Sequence, residues 1–220
     1  MSVIQTVPLT RRAWLAHCSV AAAALAGARA SAMARPTKVL VVGDSLSAEY
    51  GLARGSGWVA LLERRLQSEK VGATVVNASI SGDTTSGGRT RLPPLLEQHK
   101  PTHVIIELGS NDALRGLPLT MTRDNLAFMV RAARDTGAQA LLVGMKMPPN
   151  YGRSYTQEFE SMFSALAKAE GAALVPFMLA GVADSPKAAD LFQDDRLHPN
   201  AQAQAIIVDN VWPVLRKQLR

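Results

Sequence analysis

Three side chains far apart in the chain could together transfer an acyl group: Ser45, His198 and Asp195. A serine hydroxyl is a poor nucleophile until a base takes its proton, and histidine is the base suited to neutral pH. Of the four histidines, His17 falls in the amino-terminal segment, His99 ends a predicted helix and His103 opens a predicted strand at its far end. His198 stands apart from these, in Asp194-Asp195-Arg196-Leu197-His198-Pro199-Asn200, just before the last predicted helix. Asp195 is three residues earlier. On one helical turn it would project to the same side as His198, orient the imidazole and stabilise its charged form. Asp194 would point elsewhere and reads as structural.

Ester cleavage also develops an oxyanion, which is stabilised by donors already in place. Three candidates lie in three polar, glycine-containing turns. They are the backbone N–H of Ser45 in Gly43-Asp44-Ser45-Leu46-Ser47, the unobstructed N–H of Gly82 in Ser81-Gly82-Asp83-Thr84-Thr85, and the side-chain amide of Asn111 in Gly109-Ser110-Asn111-Asp112. Each stretch has a plainer reading alone, as a turn whose Asp or Asn caps the next helix. Their order, and their positions after successive strands, carry the chemical reading.

The elements that must position these groups alternate in type. Lys38–Val42, Thr74–Ile80, His103–Leu108, Ala140–Met145 and Ala173–Phe177 read as strands. Helical spacing appears in Trp58, Leu61, Leu62 and Leu66. Further helices are predicted over Leu92–Gln98 (opened by Pro93-Pro94), Met121–Thr136, Thr156–Glu170 and Asn200–Leu219. Alternation of this kind implies an α/β fold with a parallel sheet covered on both faces. Ligands of such sheets bind beyond the carboxyl ends of the strands, where Ser45, Gly82 and Asn111 fall, at a strand-to-helix turn in the case of Ser45.

With these stretches in hand, the chain resembles the SGNH/GDSL hydrolase superfamily, named for a Ser, Gly, Asn and His that map here to Ser45, Gly82, Asn111 and His198. Within it, the chain is most similar to the bacterial thioesterase I/protease I/lysophospholipase L1 group, often called arylesterases. Glu107-Leu108-Gly109-Ser110-Asn111-Asp112 and Met147-Pro148-Pro149-Asn150-Tyr151-Gly152 add to the likeness. The resemblance implies a flavodoxin-like three-layer α/β/α sandwich around a five-stranded parallel sheet. It implies a Ser–His–Asp mechanism with Ser45, Asp195 and His198 catalytic, an oxyanion hole of Ser45, Gly82 and Asn111, no cofactor and no metal. Expected substrates are short or medium acyl and aryl esters, thioesters and lysophospholipids, contacted by Leu46, Ser110, Pro149 and Tyr151. The group commonly has glycine where this chain has Ser110. A positive φ there would strain the serine; otherwise its side chain trims the pocket.

Residues 1–34 read as an export signal, leaving a single domain over 35–220. Arg11-Arg12 precede an alanine-rich run from Ala13 to Ala28, and Ala30-Ser31-Ala32 or Ala32-Met33-Ala34 fits a small-x-small cleavage site. Thr10-Arg11-Arg12-Ala13-Trp14-Leu15 resembles the twin-arginine motif, and a general secretory signal that carries two arginines fits equally. The apolar run is shorter than the ~20 residues of a bilayer span. Its removal takes away Cys18, the only cysteine, and with it disulfide and thiolate chemistry. A periplasmic or secreted product follows.

Of 24 basic residues, Arg11, Arg12 and Arg29 belong to that segment, so a formal charge of +6 falls to about +3, without a nucleic-acid footprint. Aromatic residues, at 5%, are too few for base-stacking platforms. The expected product is a monomer or weak oligomer acting on a small-molecule ester or lipid. A carbohydrate O-deacetylase would use the same loops, and a non-catalytic binding module would share the scaffold. Neither G-x-G-x-x-G nor G-x-x-x-x-G-K-[ST] follows a strand, and Ser45 has no G-x-S-x-G elbow.

Overall fold

The first strand forms where β-branched residues are densest. β1 (Thr37–Gly43) buries Val39, Leu40, Val41 and Val42 completely, because both faces of the sheet are covered. The computed structural model describes residues 35–220. The export segment expected over residues 1–34 lies outside the described residues.

Four more strands complete the sheet: β2 (Ala73–Asn77), β3 (His103–Glu107), β4 (Gln139–Val143) and β5 (Ala173–Val175). All neighbours are parallel, in the order β2-β1-β3-β4-β5. The α/β flavodoxin-like reading holds. This order reverses direction between β1 and β3, and open sheets bind ligands at that crevice.

Seven helices connect and cover the strands among the described residues: α1 (Trp58–Ser68), α2 (Thr85–His99), α3 (Ser110–Leu114), α4 (Leu119–Asp135), α5 (Arg153–Glu170), α6 (Ala188–Leu191) and α7 (Gln204–Gln218). α1 packs on α7, while α2, α4 and α5 pack side by side. Among the described residues no helix is long and apolar enough to cross a membrane.

Two elements differ from expectation for physical reasons. β2 ends at Asn77 rather than Ile80, since the Asn77 side chain caps the bend: its Nδ2 donates to the Ser47 carbonyl at 2.7 Å and its Oδ1 accepts the Ser79 N–H. The chain still follows β1, with the N–H groups of Ala78 and Ile80 donating to Val41 and Gly43. α2 begins at Thr85, not at the prolines. Thr84 caps it, and Pro93 and Pro94 lie inside, on the exposed side, where water can reach the carbonyls they leave unpaired. Leu92 and Leu96 on the buried side hold the helix in place.

β4 and β5 approach closely at Gly144. Its N–H donates to Val175 at 2.8 Å, and a Cβ there would overlap the Pro176 carbonyl oxygen and stand 3.0 Å from that of Val175. Both obstacles are backbone and cannot rotate away. Gly144→Ala is expected to cost about 1–3 kcal/mol, seen as a lowered urea midpoint at unchanged m.

Candidate active site

The chain leaves β1 at Gly43 and turns at once. The Ser47 and Ala48 N–H groups donate to the Asp44 carbonyl at 3.2 and 2.9 Å, and no helix begins until Trp58. The strand-to-helix turn expected at Ser45 is therefore a run of tight turns. It lifts Ser45 over the end of the sheet.

Ser45 Oγ lies 2.9 Å from His198 Nε2, and His198 Nδ1 lies 2.7 Å from Asp195 Oδ2. These residues are 153 positions apart in the chain, yet they form one continuous hydrogen-bonded line. The helical turn expected to unite Asp195 and His198 is absent. Arg196 adopts a left-handed conformation (φ 54°), and Asp195 Oδ1 accepts the N–H groups of Leu197 and His198 at 2.9 and 3.0 Å. One carboxylate oxygen thus builds the loop, and the other faces the imidazole. Burial alone would raise the Asp195 pKa. The two backbone donors and the His198 ring outweigh it and hold the carboxyl at about 2. The Tyr50 ring leans on His198, with centroids 4.4 Å apart and planes tilted by 38°.

The three expected oxyanion donors line the same cleft as Ser45 and His198. Gly82 has φ 77°, a conformation that glycine adopts freely. Among the described residues, neither the Ser45 N–H nor the Gly82 N–H is donated to a protein acceptor. Asn111, on α3, donates through Nδ2 to Asp44 Oδ2 at 3.1 Å, which leaves the second hydrogen of that amide free. Arg91 ties the loops together. Its guanidinium donates to the carbonyls of Ala78 and Gly43 and pairs with Asp83 at 2.7 Å, while Arg115 donates to the Gly82 carbonyl at 2.8 Å. Asp112 is fully buried and accepts both the N–H and the hydroxyl of Thr85, pinning α3 to the start of α2.

The left-handed residue after β3 is Gly109 (φ 119°), and Ser110 is not among the positive-φ residues. The serine is unstrained, and its side chain lines the cleft. Leu46 lines it too. Tyr151 is exposed and stands outside the lining. Pro149 belongs to a 3-10 turn, Pro149–Tyr151, and its side chain lies outside the described structure. From the same loop Lys146, Met147 and Pro148 line the cleft.

The cleft, about 830 Å³, is apolar over most of its wall. Met145, Phe177, Leu179, Ala183, Ala189 and Phe192 supply much of that wall, and sequence reasoning missed them. Residues 177–192 lack a strong period, so only the tertiary structure reveals their shared face. Glu107 was missed as well, although an acid ending an otherwise apolar strand is a legible signal. No cluster of three or more His, Cys, Asp or Glu side chains that could hold a metal ion occurs among the described residues.

The pattern of the GDSL-like Lipase/Acylhydrolase family matches residues 41–206, three quarters of the chain and every residue of the site just described. The chain belongs to that family. Membership makes it a carboxylic ester hydrolase, and the family's relatives agree. The chain is 49% identical over 181 residues to Esterase TesA of Pseudomonas aeruginosa, covering 82% of this chain and 89% of that one. It is 42% identical over 182 residues to Thioesterase 1/protease 1/lysophospholipase L1 of Escherichia coli K12, covering 83% of each. Among solved structures, a psychrotrophic esterase EstA from Pseudoalteromonas sp., inhibited by monoethylphosphonate, superposes with a TM-score of 0.78 at 41% identity. That match covers 83% of this chain and 98% of EstA.

Proposed function

We propose that this hydrolase works by two-step acyl transfer to Ser45, and the observation that carries it is His198 bridging Ser45 and Asp195. His198 Nε2 takes the hydroxyl proton as Ser45 Oγ attacks the substrate carbonyl. Asp195 stabilises the imidazolium that forms. The N–H groups of Ser45 and Gly82 and the free Asn111 hydrogen receive the developing oxyanion. Collapse expels the alcohol or thiol with the proton from His198, and water repeats the sequence on the acyl-enzyme.

The substrates proposed are aryl esters and short to medium acyl esters, with thioesters and lysophospholipids in the same class, as the names of the relatives suggest. The apolar wall from Met145 to Phe192 supports an acyl group larger than acetyl, because each buried methylene adds about 0.8 kcal/mol. On residues 1–34 rests the further reading that the protein is exported and works in the periplasm or outside the cell.

Three measurements test this. A fluorophosphonate probe should label the full chain at Ser45 alone, and label elsewhere would refute the nucleophile. A panel of p-nitrophenyl esters should show kcat/KM rising from acetate toward medium chains. Preference for acetylated xylan over every chain length would instead make the protein a carbohydrate deacetylase. Asn111→Ala should lower kcat by about 10²–10³-fold with KM little changed, since the lost donor acts on the transition state.

A further inference from the structure

Beneath the Ser45 turn lie two buried carboxyl groups that form no salt bridge among the described residues. Glu107, the last residue of β3, is 2% exposed, and Asp44 is 1% exposed. Glu107 Oε2 accepts the Ser47 hydroxyl at 2.7 Å and the Asp44 N–H at 3.3 Å. Trp58, whose indole N–H donates to Ser47 Oγ at 3.2 Å, occupies one lone pair of that hydroxyl, and the hydroxyl hydrogen finds its acceptor in Glu107. The Asp44 N–H contact brings the two carboxyl groups close together. Two neighbouring buried carboxylates without a counter-charge are costly, so one of the two holds a proton.

The geometry says which acid carries it. Asp44 Oδ1 accepts the Leu46 N–H at 3.1 Å, and Asp44 Oδ2 accepts the Asn111 amide at 3.1 Å. Both Asp44 oxygens face donors, so a proton on either would confront an N–H. Glu107 has one oxygen so engaged, and its other oxygen is left to hold the hydrogen. We propose that Glu107 is a neutral carboxylic acid in the working enzyme, and that by donating to the Asp44 carboxylate it serves as a positioning residue for the Asn111 amide. The inference rests on the reading of Asn111 as an oxyanion donor.

The charged surroundings agree. His198 and Asp83 act on Asp44 with opposite signs, and the Arg91 guanidinium next to this site is spent on Gly43, Ala78 and Asp83. Burial foremost, then the Asp44 charge, pushes the Glu107 carboxyl well above its ordinary range. Burial also raises Asp44, to about 6, while the Leu46 N–H, His198 and the Asn111 amide act to lower it. A second charge here would repel Asp44 away from Asn111. It would also stand close to the oxyanion and oppose it.

The test uses the full chain and three variants: Glu107→Gln, Glu107→Leu, and Glu107→Leu combined with Asn111→Ala. Infrared difference spectra at pH 8 between the parent protein and Glu107→Gln should reveal the C=O stretch of a neutral carboxyl, lost in the variant. Glu107→Gln, whose amide N–H can donate to Asp44 as the acid does, should keep kcat within about threefold. Glu107→Leu should lower kcat about tenfold or more at similar KM, and the double variant should be no slower than Asn111→Ala alone. No neutral-carboxyl band, equal losses in the Gln and Leu variants, or additive losses in the double variant would each overturn the proposal. If Glu107→Leu does not fold, the band and the Gln variant decide it. Failure of the Asn111 reading would appear separately, as full activity in Asn111→Ala.

Discussion

Ser45→Ala is expected to lower ester turnover by roughly 10⁶-fold, to the residual rate supplied by the oxyanion donors and binding alone. The hydroxyl is the only group on the Ser45 side chain, and it is the atom that His198 Nε2 meets at 2.9 Å. Its removal leaves a base with no proton to take. Ser45 is half-buried, and among the described residues its hydroxyl has no other partner, so the substitution should leave the thermal midpoint nearly unchanged. Burst kinetics with a p-nitrophenyl ester provide the measurement: the burst should vanish together with the steady state. A variant that kept most of its rate would need a different nucleophile, and among the described residues no other serine of the cleft bonds to a histidine.

Asp195→Asn should cost roughly 10⁴-fold in kcat at neutral pH while leaving substrate affinity largely intact. The carboxylate accepts from His198 Nδ1–H, which keeps Nε2 free to accept the Ser45 proton. An asparagine amide turned toward Nδ1 would donate, drive the hydrogen onto Nε2 and remove the base. Asn can still accept the Leu197 and His198 N–H groups through its oxygen, so the loop should survive and the loss should read as chemical. The pH dependence has a definite sign. With its folded pKa lowered from 3.8 to about 2, Asp195 adds stability that is fully present above its ordinary pKa. That stability is lost as pH falls from about 4 through about 2. The acid limb of kcat/KM in the parent enzyme therefore should not arise from Asp195, which stays ionised well below the range where imidazole titrates.

Much of the site could be read in the residues because short motifs carry their own geometry. Gly43-Asp44-Ser45 after an apolar run marks a turn at a strand end, and Gly109-Ser110-Asn111-Asp112 repeats the device two strands later. The spacing of Asp195 and His198 was informative even though its geometry was misjudged. A helical turn was expected, and a loop organised by Asp195 itself, with Arg196 left-handed, achieves the same convergence. Local hydrogen bonds from a short acidic side chain compete with helix, and here they won. The prolines of α2 misled in the other direction. Their cost to a helix is real, but packing of Leu92 and Leu96 outweighs it.

The amino-acid sequence by itself determined the alternation of strands and helices, hence a parallel sheet, and the residue types able to perform serine-based acyl transfer. Those follow from periodicity and from side-chain chemistry, which are local. Only the tertiary structure decided that Ser45 and His198, 153 residues apart, stand 2.9 Å from each other. It alone placed Glu107 against Asp44 and gathered Met145, Phe177, Leu179 and Phe192 into one apolar wall. Such contacts depend on strand order and loop course, which arise from packing summed over the whole domain and leave no mark on any single stretch of chain.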